Sequence, residues 1–358
     1  MLENKLAIDT CIFTEMINYS ITYKSGGYDA LSKLIVTNNI KLSYLKNSIL
    51  NMFCKDFVDE NADLYNTALN SNTTKSNYAL STLLEKYKDY SKKIISFYQQ
   101  TQKRLIVFIN HLKNERITSI EKNDIDLKIK DYQNKLFNIQ AEYNKFASFD
   151  RSLDSTIKNY NSTLNALSAG ELYQDSLNGK VELVILPTIS DEIINHTDLP
   201  EKAKIQEFSF LDVFNLLKSC KHYSTKSDDV VTDVLKLSRF MRPIFSGAEF
   251  ANIPNNTLTR KAVESNAMAE AIVYGVNFVT FNTSLYIRDM SIPGDNDAIR
   301  QRIIHTASKY FPGATVAQPY SLGEVVQGLA KNQPTTVKNL ELIDSLVYNS
   351  YLAKKDEW

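Results

Sequence analysis

The feature that most constrains this chain is a long central stretch without helix-breaking residues. No proline occurs before residue 187, and no glycine occurs between residues 28 and 169. Proline and glycine interrupt helices more than any other residues, so this stretch can form very long helices. Its apolar positions recur at alternating steps of four and three residues, the heptad pattern of a coiled coil. The first seam contains Leu80, Leu84, Tyr87, Ser91, Ile94, Tyr98, Thr101, Leu105, Phe108 and Leu112, and the second contains Ile125, Ile129, Tyr132, Leu136, Ile139, Tyr143, Phe146, Asp150, Leu153, Ile157, Tyr160, Leu164 and Leu167.

We therefore predict two helices of about 35 and 45 residues, each about 50–65 Å long, folded back as an antiparallel coiled coil. In the second seam, Asp150 is the one position that breaks the apolar pattern. The segment between the two seams is polar, and Ser119 and Asp124 are candidate helix caps there. We place this coiled-coil insertion at residues 56–177.

The segments on either side of the insertion have the pattern of an α/β domain. Four short apolar runs are typical of buried parallel strands, and helical segments lie between them. This alternation predicts a parallel sheet with helical crossovers, formed by residues 1–55 and 178–332 and followed by a C-terminal helix at 333–358. The predicted strands are KLAI (5–8), KVELVILP (180–187), GVNFVTFN (275–282) and ATVAQP (314–319).

Composition bears on nucleic-acid binding, on cysteine chemistry and on localisation. Lys and Arg number 41, as do Asp and Glu, so a nucleic-acid surface has to come from local charge asymmetry. The three cysteines are far apart and have neither a disulfide framework nor zinc-ligand spacing. The N-terminus is polar where a signal peptide needs an apolar core, and no apolar run approaches about 20 residues. We expect a cytoplasmic protein with no membrane partner.

Polar side chains follow the predicted strands where each strand ends. Asp9 follows the first strand, Glu192 lies in the first helical turn after the second, and Asn282 ends the third. Asn266 and Glu270 are four residues apart on the preceding helix and therefore share a face. Ligands of parallel α/β sheets bind at the carboxyl ends of the strands, so these residues are candidates for one site.

Each candidate acid also has a purely structural interpretation. Asp9 fits the N-cap of the helix that follows it. Glu192 fits a first-turn acid stabilised by the helix dipole. Glu270 fits a surface residue of an alanine-rich helix. The sequence leaves both interpretations open.

Taken in order, these motifs resemble the PIN-domain nuclease family over roughly residues 1–50 and 178–330. AIDTCIF resembles the family's first strand and its aspartate, and VILPTISDEII resembles the segment of its second acid, which falls on Glu192. NAMAEAIVYGVNFVTFN resembles the segment of the family's third acid. Asn266 stands where the family has an aspartate, and Asn282 follows the strand. TVAQPYSLGEVV resembles the closing strand and helix.

The resemblance implies a metal-dependent endoribonuclease that hydrolyses phosphodiester bonds of single-stranded RNA, with a toxin-like or defence-associated setting. Asp9, Glu192 and Glu270 would then be the catalytic carboxylates that bind Mg²⁺ or Mn²⁺, and Asn266 and Asn282 would add amide oxygens to the metal site. Carboxylate oxygens suit these hard cations. The amide at Asn266 keeps an alternative open, in which a degenerate PIN-like domain acts as an RNA-binding or protein-scaffold module through its coiled coil.

Two segments carry a local excess of basic residues. The first helix of the predicted coiled coil is basic between residues 86 and 116, which fits a solvated face, a nucleic-acid guide or a surface for a protein partner. The second segment, residues 218–261, lies directly before the Asn266 helix, and contacts to phosphates need such surplus cations. The candidate RNA-binding (or DNA-binding) residues of this segment are Lys221, Arg239, Arg242 and Arg260.

Overall fold

The computed structural model describes residues 5–70, 73–118, 122–195, 210–223, 228–246, 255–287, 297–310 and 316–328. These residues are mostly helical and contain a small, fully parallel sheet, which is the α/β arrangement that the sequence predicts. None of the helices in these ranges combines the length and the apolar character needed to span a membrane.

The sheet has five strands in the order β3-β2-β1-β4-β5, and every neighbouring pair is parallel. Its central strand, β1, pairs through Leu6 with Leu183 on one side and Asn277 on the other. The central strands are buried almost throughout, as expected for a parallel sheet covered by helices. The strands are β1 (Lys5–Ile8), β2 (Glu182–Ile185), β3 (Lys221–His222), β4 (Asn277–Thr280) and β5 (Pro319–Ser321).

Twelve helices lie in the described ranges. The first one changes direction at Gly27, whose φ of 66° is a value that residues with a Cβ rarely adopt. The helices are α1 (Thr10–Leu50), α2 (Lys55–Glu60), α3 (Ala62–Leu69), α4 (Thr74–Thr118), α5 (Lys122–Leu177), α6 (Pro187–Asn195), α7 (Phe210–Ser219), α8 (Asp228–Ser246), α9 (Asn255–Val273), α10 (Thr283–Tyr286), α11 (Ala298–Tyr310) and α12 (Leu322–Val326).

The chain divides into two compact units, one formed by Met1–Asn38 with Asn165–Trp358 and the other by Asn39–Leu164. The first unit contains the sheet, with α9 packed against both α8 and α6. Gly170 of this unit lies against the ring of Tyr19, and a Cβ at Gly170 would come within 2.5 Å of that ring.

Within the second unit, contacts between α4 and α5 show that the two helices run antiparallel. Ser81, near the start of α4, donates a hydrogen bond of 2.8 Å to Asn161, near the end of α5. Arg116, near the end of α4, forms an ion pair of 2.5 Å with Asp126, near the start of α5. Asp150, the exception in the heptad pattern, accepts a hydrogen bond of 2.8 Å from the hydroxyl of Ser91. The seam therefore accommodates this acid by placing a small donor opposite it.

Both long helices extend beyond the ends predicted from the sequence. α4 has 45 residues and α5 has 56, so most of the polar segment predicted as a connection is helical. Asp124 lies inside the first turn of α5 rather than at its cap, and Ser119 falls outside the described residues.

The strand predicted at 314–319 is wrong in position. β5 starts at Pro319 and ends at Ser321, where a capping box with Glu324 begins α12. The edge of the sheet tolerates proline, which has no N–H to donate to a neighbouring strand.

The sequence does not predict β3, because a two-residue exposed strand has no apolar pattern. The C-terminal helix predicted at 333–358 lies outside the described residues.

Candidate functional site at the carboxyl edge of the sheet

Asp9 lies where the central strand ends and the first helix begins. Its backbone N–H donates to the carbonyl of Val279 at 2.9 Å, which fixes the residue against β4. Its carbonyl accepts from Ile12 and Phe13 at 3.0 Å, so Asp9 is the N-cap residue of α1. The strand order reverses direction between β1 and β4, and open parallel sheets bind ligands at such a switch point.

A chain of hydrogen bonds orients the carboxylate of Asp9. The hydroxyl of Thr280, at the end of β4, donates to Oδ2 at 2.5 Å, and the thiol of Cys11 donates to the same oxygen at 3.2 Å. The backbone N–H of Asn282 donates in turn to the hydroxyl of Thr280 at 2.8 Å. The side-chain oxygen of Asn282 accepts from Ser284 at 3.1 Å. Asn282 therefore reaches Asp9 through Thr280.

Glu192 is brought to the same edge by the residue that follows Asp9. The hydroxyl of Thr10 donates to Oε2 of Glu192 at 2.5 Å. The sequence predicts Glu192 in the first turn of this helix. Because α6 begins at Pro187, Glu192 lies in the second turn instead. The helix dipole acts mainly within the first turn, so the dipole interpretation of Glu192 loses its basis.

A third acid, Glu264, acts on the same buried side chain as Asp9 and Glu192, and the sequence motifs do not single it out. Tyr286 is buried against the ring of Phe278, with ring centroids 5.0 Å apart. Its pKa is raised well above the ordinary value, first by burial and then by the negative charges of Asp9, Glu264 and Glu192. The charges of three carboxylates therefore act on one buried phenol, and we call Asp9, Glu192 and Glu264 the acidic triad.

A pattern in the sequence could have identified Glu264. The residues three, four and seven positions after it are Ala267, Met268 and Ala271, and all three are fully buried. Glu264 thus continues the buried stripe of α9 and is itself only 8 % exposed. An acid in an apolar stripe is expensive to bury unless it has a role or a partner, and that makes it a candidate.

Glu270 is placed differently from the acidic triad. Both of its carboxyl oxygens accept from the backbone N–H of Thr188, at 3.2 and 3.0 Å, and Oε1 also accepts from the Thr188 hydroxyl at 2.7 Å. Burial raises the pKa of Glu270 to about 7; the hydrogen bonds from Thr188 lower it, and the nearby charge of Asp191 raises it further. The carboxylate is therefore engaged at the start of α6.

Asn266, which stands where the resemblance expects an aspartate, is engaged by a neighbouring helix. Its side-chain oxygen accepts a hydrogen bond from the hydroxyl of Ser238 on α8. The amide thus joins α9 to α8, two helices that pack closely together. This contact gives the side chain of Asn266 a structural partner between the two helices.

Among the basic candidates, Arg242 lies on α8, the helix that contacts both Asn266 and Tyr286. It follows Ser238 by four residues, and Phe245, three residues later, packs on the ring of the buried tyrosine at 5.3 Å. Arg242 is exposed and Arg239 is partly buried. Both arginines therefore lie on the helix that borders the site.

The other two basic candidates are Lys221 and Arg260. Lys221 forms an ion pair of 3.2 Å with Glu182, and that carboxylate raises the lysine's pKa. Arg260 lies in α9, and nothing is described of its side chain. In the basic part of α4, Lys88 pairs with Asp154 at 2.5 Å. Local acids thus already neutralise part of the basic surplus.

Within the described ranges, no three His, Cys, Asp or Glu side chains lie close enough to form a metal-binding group. Mg²⁺ needs fewer, because it keeps several water ligands and is commonly bound by one or two carboxylates. Asp9 and Glu192 offer such carboxylate oxygens at one edge, so their chemistry fits a hydrated divalent cation.

Comparisons of the chain with protein-family models, with curated proteins and with solved structures found no match.

Proposed function

We propose that this chain is a metal-dependent endoribonuclease with a PIN-like catalytic unit, into which the α4–α5 pair is inserted. The observation that carries the proposal is the placing of two carboxylates at the switch point of a parallel sheet, where Thr280 donates to Asp9 and Thr10 donates to Glu192. The negative charges of Asp9, Glu192 and Glu264 all act on Tyr286, and a bound cation relieves repulsion among such charges. The site is thus suited to a cation and to the phosphate groups that a cation attracts.

Asp9 and Glu192 are the residues that would hold Mg²⁺ or Mn²⁺, with Glu264 adding negative charge beside them. The ion, when bound, supplies an activated water and stabilises charge on a phosphodiester. Thr280 and Thr10 orient the two carboxylates through their hydroxyl groups. The catalytic carboxylates that we propose are Asp9, Glu192 and Glu264, and they do not include Glu270.

Single-stranded RNA is the substrate that we propose. Arg239 and Arg242 on α8 supply the phosphate contacts, because Arg239 directly follows Ser238, which contacts Asn266, and Arg242 lies one helical turn before Phe245, which contacts Tyr286. Contacts of this kind depend on salt and not on sequence.

The test combines metal binding and cleavage. Wild type, Asp9→Asn, Glu192→Gln and the matched control Glu85→Gln, an exposed acid of α4, are titrated with Mn²⁺ by calorimetry. The same four proteins are incubated with labelled single-stranded RNA and DNA in Mg²⁺ or Mn²⁺. We expect Mn²⁺ binding and RNA cleavage by wild type and by the control, and loss of both in the two site variants.

A wild-type protein that neither binds Mn²⁺ nor cleaves RNA would overturn the proposal. Cleavage of DNA alone would overturn the proposed substrate. The amide at Asn266, bonded to Ser238, favours a second candidate, a degenerate PIN-like module that binds RNA or a protein partner without cutting. RNA binding without cleavage, unaffected by Asp9→Asn, is the result expected for that candidate.

A further inference from the structure

The start of α6 is capped by a residue from a distant part of the chain. The first residues of a helix have N–H groups without a partner inside the helix, and the side chain at the N-cap usually accepts from one of them. Here the residue before the helix is Leu186, which has no acceptor in its side chain, and Pro187 has no N–H. Glu270, 82 residues further along, accepts from Thr188 instead.

The cap is specific because it uses both atoms that Thr188 can donate from. Glu270 accepts from the backbone N–H and from the hydroxyl of the same residue, at distances between 2.7 and 3.2 Å. Its side chain is only 4 % exposed, so water competes little for these bonds. A carboxylate held in this way fixes both the position and the rotation of the first helical turn.

Rotation of α6 decides where Glu192 points. Thr188 and Glu192 are four residues apart and lie on the same face of the helix. Ile189 and Ile193 lie on its buried face and are at most 1 % exposed. With the apolar face packed and the start capped, Glu192 is directed towards the hydroxyl of Thr10.

We propose that Glu270 is a positioning residue, which anchors the start of α6 on α9 so that Glu192 meets Asp9 at the acidic triad. This inference rests on the proposed function. A buried carboxylate is expensive for the fold, as its raised pKa shows. Functional sites commonly keep such expensive groups where geometry matters more than stability.

The experiment uses the full chain and four variants. Glu270→Gln places an amide N–H₂ where a carboxyl oxygen accepted, and Thr188→Val removes the hydroxyl. Thr188→Ser keeps the hydroxyl, and Glu15→Gln removes a partly buried carboxyl of α1 whose pKa burial also raises. Hydrogen exchange of the α6 amides is followed without metal, and Mn²⁺ affinity is measured by calorimetry.

We expect Glu270→Gln and Thr188→Val to speed exchange of the α6 amides and to weaken Mn²⁺ binding about tenfold, the usual effect of losing an outer-shell partner. Thr188→Ser and Glu15→Gln should match wild type in both measurements. Because Glu270→Gln removes a buried charge, weaker Mn²⁺ binding without a lower melting temperature separates positioning from general destabilisation.

The two proposals fail in different ways. Unchanged exchange of α6 in both Glu270→Gln and Thr188→Val overturns the positioning role, whatever the protein does with metal. Faster exchange with unchanged Mn²⁺ affinity overturns the link between Glu270 and the site. Faster exchange in a protein whose wild type neither binds Mn²⁺ nor cleaves RNA supports the anchoring of α6 and overturns the proposed function.

Discussion

Replacing Glu270 with glutamine changes how the stability of the fold depends on pH. In the native state burial raises the pKa of Glu270 from 4.5 to about 7. Between these two values the native chain binds a proton that the unfolded chain has released. Stability from this group is therefore present below pH 4.5 and is lost as the pH rises through 7.

The size of the effect follows from the same two values. One pKa unit corresponds to about 1.4 kcal/mol, so ionising Glu270 in the native state lowers the free energy of unfolding by about 3 kcal/mol in total. About 2 kcal/mol of this loss falls between pH 5.5 and pH 8. Glutamine has no titratable group. Between pH 5.5 and pH 8 the free energy of unfolding of Glu270→Gln therefore rises by about 2 kcal/mol relative to that of wild type.

The assay is denaturation by urea at pH 5.5 and pH 8 in a metal-free buffer, followed by circular dichroism. Glu85→Gln, which changes an exposed acid, is the control and should keep the same difference from wild type at both values. A Glu270→Gln protein whose advantage over wild type stays within about 0.5 kcal/mol between the two pH values would refute the reasoning, since the carboxylate would then ionise at its ordinary pKa.

Three further predictions concern the site itself. Asp9→Asn should abolish Mg²⁺- or Mn²⁺-dependent cleavage and raise the metal-free melting temperature, because it removes one of the negative charges that act together on Tyr286; a lower melting temperature would contradict that cause. Glu264→Gln should reduce cleavage at least tenfold while Glu85→Gln does not, as measured by single-turnover kinetics. Arg242→Glu should weaken RNA binding similarly for all sequences and reduce its salt slope by about one; an unchanged slope in a salt titration would remove Arg242 from the phosphate path.

The position of Asp9 was predictable because the signal is local. A short apolar run followed by an acid marks the end of a buried strand, and β1 ends directly before Asp9. The contact between Ser91 and Asp150 joins the two predicted seams for a similar reason, since those seams are long and regular.

The choice between Glu264 and Glu270 was not predictable in the same way. Both acids lie on α9, and which of them faces the site depends on how that helix is rotated against its neighbours. Contacts from other elements set that rotation, among them the bonds of Asn266 to Ser238 and of Glu270 to Thr188. The resemblance directed attention to position 266, whereas the buried stripe pointed to position 264.

The hydrogen bond between Ser91 and Asp150 gives the α4–α5 pair a means of selecting its own alignment. Heptad seams look alike after every seven residues, so two such helices could slide past each other by one repeat and still pack. A slide of that kind would set Asp150 opposite Leu84 or Tyr98 in place of Ser91. Against Leu84 the acid would meet an apolar, buried side chain with nothing to donate, which is unfavourable. Asp150, which interrupts the apolar repeat, therefore favours the one alignment of the two helices that sets it opposite Ser91.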